Sequence, residues 1–86
     1  MVINMSLNKI IEKAELEFIE SYLITKENHW DYYLLEQTYI KFGEYQSILR
    51  NLDALNSQYQ AKRYKKILNI YLTEINPRYN LYKGKK

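Results

Sequence analysis

Leu35, Tyr39, Phe42, Tyr45, Leu49 and Leu52 recur at intervals of four, three, three, four and three residues, a heptad-like seam that only a helix can place along one side. A strand alternates every second residue, so this row would scatter over both faces of a sheet. The whole chain holds two Gly and one Pro, too few for the many tight turns of an all-β domain. With 86 residues, 47% of them hydrophobic and 27% charged, there is material for one modest core. The expected fold is therefore an all-α three-helix bundle.

The first periodic segment opens near Asn4 or Ser6, either of which can cap a helix, and lines up Leu7, Ile10, Ile11, Ala14, Phe18 and Tyr22. A second row, Leu16, Ile19 and Leu23, falls on nearly the opposite side. Such a helix is either enclosed by neighbours or keeps one row for a partner. Asn28, followed three residues later by Asp31, resembles a capping box and would start the second helix near His29. The apolar stripe of that helix rotates between its halves, and Gly43 marks a kink at the change. Past Leu55 the seam meets Lys62 and Lys66, so the phase must reset. Ser57 with Gln60 supplies a second capping box for a helix carrying Ala61, Tyr64, Leu68, Tyr71, Leu72 and Ile75. That helix should stop before Pro77, which lacks an amide donor. The spacing predicts helices at 6–25, 28–55 and 57–76 in a single domain over 1–76, with a basic tail over 77–86. The expected core is Ile11, Phe18, Leu35, Phe42, Leu49, Leu52, Leu68 and Ile75.

Catalytic chemistry is hard to assemble from these residues. There is no Cys, which removes disulfides, thiolate metal sites and a cysteine nucleophile together. Glu12, Glu15, Glu17 and Glu20 cluster on the first helix, but the single His29 cannot complete a carboxylate–histidine metal site. No glycine-rich loop exists to cradle a phosphate. The chain is expected to be no enzyme, with no catalytic residue, metal or cofactor.

Charge divides the chain. Residues 1–60 hold five Lys and Arg against nine Asp and Glu, and residues 61–86 hold eight against one. Lys62, Arg63, Lys65 and Lys66 form a basic face suited to phosphate or an acidic protein surface, unless the carboxylates of the first helix balance them within the molecule. Tyr64, Tyr79 and Tyr82 interleave with this basic end as base-stacking groups would. Trp30, Tyr32 and Tyr33 form the densest aromatic patch, which reads either as a binding hot spot or as the lid of the core.

The functional expectation is a non-catalytic protein-binding module, an inhibitor, adaptor or regulatory subunit, docking through Leu16, Ile19, Leu23, Trp30, Tyr32 and Tyr33. Its partner is another protein or a second copy in a homodimer. The alternative is non-sequence-specific nucleic-acid binding by the basic third helix and tail. No charge-free stretch exceeds eight residues, so no membrane span is expected. The first residues lack the pattern of a secretory leader, which makes the cytoplasm the expected location. Asn, Ile, Lys and Tyr make up 38 of 86 residues, a codon skew expected of an AT-rich genome such as a low-GC bacterium, its phages or its mobile elements.

Overall fold

The computed structural model describes residues 2–84, with side chains from Leu7 onward. Every regular element in it is helical: α1 (Val2–Glu27), α2 (Tyr32–Asn51), a 3-10 turn (Ala54–Asn56), α3 (Gln58–Ile70), a π-helical turn (Tyr71–Ile75) and α4 (Asn76–Gly84). The last three join end to end, so the chain makes three rods running up, down and up over 48 × 19 × 18 Å. The middle rod, α2, packs along both others.

The first turn begins later than the Asn28 cap implies. Asp31 is the N-cap, its carboxylate accepting from the Leu34 amide at 3.1 Å, and helix resumes at Tyr32. Asn28 instead closes α1, its side-chain amide donating to the Ile24 carbonyl at 2.7 Å. His29 and Trp30 between them both take left-handed backbone angles (φ 58° and 59°), which is costly for residues carrying a Cβ. The Trp30 amide donates to the Thr25 carbonyl at 2.9 Å, and its ring lies between Tyr22 and Arg78, so the turn is held by contacts on both sides. α1 itself starts at Val2, upstream of both expected caps, whose side chains lie outside the described residues.

The buried seam of α2 is Leu35, Thr38, Phe42, Tyr45 and Leu49. Its intervals of three, four, three and four keep one phase throughout, and the helix is unbroken through Gly43. The seam does not rotate towards Ile48 and Leu52, which are only partly buried. Tyr39 stands at the edge, where it stacks on Tyr79 at 4.2 Å, and Thr38 holds the central place. The Thr38 hydroxyl lies 2.7 Å from that of Ser21 and 2.8 Å from that of Thr25, which donates to the Ser21 carbonyl at 2.7 Å. These hydroxyls satisfy one another where α1 crosses α2, with Thr25 and Thr38 fully buried. Lys41 and Glu17 add a partly buried pair at 3.3 Å between α2 and α1.

α3 starts as expected at the Ser57 cap, whose hydroxyl accepts from the Gln60 amide at 3.4 Å. The reciprocal half of the box is absent. Gln60 is buried, and its Oε1 has no hydrogen-bond partner among the described residues. The buried row then runs Gln60, Ile67, Ile75 and Tyr79, so Ile67 takes the place expected of Leu68, while Leu72 stays half exposed. Leu52 and Leu68, both counted in the expected core, are only partly buried and pack against it.

Pro77 does not stop the rod. The π turn just before it widens the helix, the Asn76 amide reaching back five residues to the Tyr71 carbonyl, and α4 continues to Gly84. A π turn absorbs one extra residue, which brings Ile67, Tyr71, Ile75 and Tyr79, all four apart, onto the same side. Residues 77–84 of the expected tail are thus helical, with Tyr79 buried; Lys85 and Lys86 lie outside the described residues. Phe42 stacks on Tyr71 at 4.0 Å and Tyr32 on Tyr79 at 6.2 Å, continuing an aromatic ladder between α2 and the third rod.

Candidate functional site

The sites expected from the sequence separate into three fates: residues withdrawn into the fold, residues paired inside the molecule, and residues left on the surface. Trp30 and Tyr32 belong to the first. Arg78 lies 3.8 Å over the Trp30 ring, and Tyr32 packs on Tyr79 and Tyr82, so both rings act chiefly as the lid of the core. Tyr33, pointing the other way on the same turn, is 65% exposed. Tyr79 is buried, and the Tyr64 hydroxyl accepts from Gln46 at 2.9 Å between rods. The interleaved tyrosines of the basic end are therefore core and interhelix contacts, with little ring face to offer a base.

Arg63 belongs to the second group. Its Nε donates to Glu15 Oε1 at 2.9 Å and its Nη2 to Glu15 Oε2, a two-pronged pair joining α3 to α1 across 48 residues of sequence. Glu15 is buried, and the hydrogen bond that its carboxylate accepts raises the pKa of the Arg63 guanidinium further above its ordinary range. Beside this pair the Tyr45 hydroxyl is fully buried and without a hydrogen-bond partner among the described residues. Burial above all, and then the Glu15 charge, push its phenol well above the usual value.

The other cations of α3 differ. Lys62, Lys65 and Lys66 are exposed and form no ion pair among the described residues. The expected four-residue basic face is thus three free lysines and one arginine engaged inside the molecule. Lys62 and Lys65 flank a largely apolar groove of about 600 Å³ floored by Leu55, Ala61, Tyr64 and Leu68.

The row on α1 is the third group. Leu16 is 56% exposed and Leu23 48%, while Ile19 between them is partly buried against the core. α1 and α3 stand apart here, bridged by Glu15 and Arg63, and two adjoining hollows of about 400 and 320 Å³ open on either side of that bridge. Leu16 and Ile19 line the first, and Ile19, Lys66, Ile67 and Ile70 line the second. Leu16 and Ile19 of the row therefore form one lip of a shallow trough, part apolar and part charged, between two rods, and Leu23 lies beyond it. What the sequence did not bring out is the far lip, because Ile67 and Ile70 lie on the side of α3 that the Leu68 phase turned away.

Among the described residues no three His, Cys, Asp or Glu side chains gather in a way that could hold a metal ion, and no helix is long and apolar enough to cross a membrane. The surface carries a trough between α1 and α3 and a lysine-edged groove on α3. No protein-family model, curated protein or solved structure matches this chain.

Proposed function

We propose that the chain is a small non-catalytic protein-binding module of the inhibitor, adaptor or regulatory-subunit kind, docking through α1 along the trough. The observation that carries this reading is that Leu16 and Leu23 remain half exposed after the three rods have packed, with Leu16 lining the trough. Exposed apolar side chains in a row at helical spacing are what a groove or a second helix engages.

The test is affinity capture with nuclease present, comparing the natural chain with a Leu16→Glu, Leu23→Glu variant. Ile19 is the poorer probe because its side chain also packs on the core. A protein retained by the natural chain and lost by the variant, with unchanged helical circular dichroism, is the expected result. Equal capture by both chains would sink the reading.

A second reading, non-specific nucleic-acid binding, draws on the free Lys62, Lys65 and Lys66. Three phosphate contacts on a duplex would give a log–log salt slope of roughly −3, with affinities of about 10⁻⁴ to 10⁻⁶ M. Tighter binding at physiological salt, lost in Lys62→Gln, Lys66→Gln, would put this reading first.

A further inference from the structure

We infer that the occupant of the α1 row is a second copy of this chain, its α1 packed antiparallel on the first about a two-fold axis beside Ile19. The inference rests on the reading of that row as a docking surface and names its partner.

The row is longer than its apolar part. Glu12, Leu16, Ile19, Leu23 and Lys26 follow one another at intervals of four, three, four and three, the spacing that keeps a seam facing a partner helix. It begins in an acid and ends in a base, each seven residues from Ile19 and so about 10 Å away along the helix. A two-fold axis at Ile19 reverses the second helix and sets Glu12 of one copy level with Lys26 of the other, twice. Leu16 then lies within one residue of the level of Leu23 of the other copy.

The outer flank repeats the pattern. In an antiparallel pair about such an axis, each flank meets its own kind, which brings Lys13 of one copy near Glu27 of the other. The offset is two residues, about 3 Å of rise, within the reach of a lysine side chain. Glu12, Lys13, Lys26 and Glu27 are all exposed, and none forms an ion pair within the chain among the described residues. Glu20 meets its own copy with like charge, and Lys13 lies within one residue of the level of Lys26 of the other copy; both weaken the pair, and Glu20 serves as a marker of the register. A parallel two-fold arrangement would set Glu12 against Glu12 and Lys26 against Lys26, so the charges at the two ends of the row select the antiparallel one.

The experiment is sedimentation velocity of the full chain from about 1 µM to 1 mM, the window for an interface with few anchors. The expected result is a concentration-dependent rise from 10.5 kDa towards twice that mass. Leu16→Glu should abolish it. Glu12→Lys or Lys26→Glu alone should weaken association about tenfold, the double variant Glu12→Lys, Lys26→Glu should restore it, and Glu20→Gln should tighten it. Circular dichroism of each variant checks that the fold is retained, and the surface positions of these residues leave the core untouched.

A chain that stays at 10.5 kDa throughout overturns the inference, as does a dimer indifferent to Leu16→Glu or a double variant that stays weak. The docking reading itself fails only if the capture experiment also shows no dependence on Leu16 and Leu23, so the two failures are distinguishable.

Discussion

Replacing Arg63 by Ala leaves the Glu15 carboxylate buried with no counter-ion. The Glu15 side chain is 9% exposed and that of Arg63 43%, so the pair is half wet. Stripping one partner from a fully buried pair costs about 3–5 kcal/mol, and solvent screening on the arginine side brings the expectation here to about 2 kcal/mol. A domain of this size holds about 4–13 kcal/mol in total. With a urea dependence near 1 kcal/mol per molar, the unfolding midpoint should fall by about 2 M. Replacing both residues by Leu should recover most of the loss, since Ile19, Ile67 and Ile70 line the same trough. A loss below about 0.5 kcal/mol would mean an ordinary surface pair, and Arg63 would return to the basic face.

Three further outcomes follow from single buried or exposed groups. Tyr45→Phe removes a hydroxyl that has no hydrogen-bond partner among the described residues, so it should be neutral or stabilising by up to about 1 kcal/mol in urea unfolding. Because burial raises its phenol pKa, the unfolded chain alone releases that proton above about pH 10, so stability should fall there and fall less in the Phe variant. Gly43→Ala should raise stability by about 0.5–1 kcal/mol, read as a higher thermal midpoint, because the helix is unbroken there and a Cβ would meet nothing within 4 Å. Thr38→Val should cost about 1–2 kcal/mol by leaving the hydroxyls of Ser21 and Thr25 one partner short, although its volume scarcely changes.

The three-rod order was legible because long apolar rows at helical spacing leave few other folds open. The phase within each row was less so, for two physical reasons. Thr38 lies at the centre of the α2 seam, yet no hydropathy pattern selects it; its place depends on meeting Thr25 and Ser21 from another helix. In the third rod Ile67 and Leu68 are equally apolar neighbours. What decides between them is the run of fours from Ile67 to Tyr79, which is in phase only once a π turn has taken up the extra residue. The same turn explains why Pro77 ends nothing. The left-handed pair His29 and Trp30 had no signal in glycine or asparagine, because packing of the indole, and not backbone preference, holds it.

The surface was legible by composition but not by pairing. Charge counting placed four cations on one face of α3, whereas the structure gives Arg63 to Glu15 and leaves three lysines outside. That division bears on function. Arginine supplies the planar fork that reads carboxylate or phosphate two bonds at a time, and here the fork of Arg63 is already occupied. The remaining ammonium groups act as point charges without geometric selectivity, which suits a solvated rim better than a reading head. The trough between α1 and α3 has a different character: its lips belong to two rods that both pack on α2, and its middle is pinned by the Glu15–Arg63 bridge. A surface held in shape before binding loses less entropy when a partner docks, so the trough and the row beside it are where affinity and specificity would reside together.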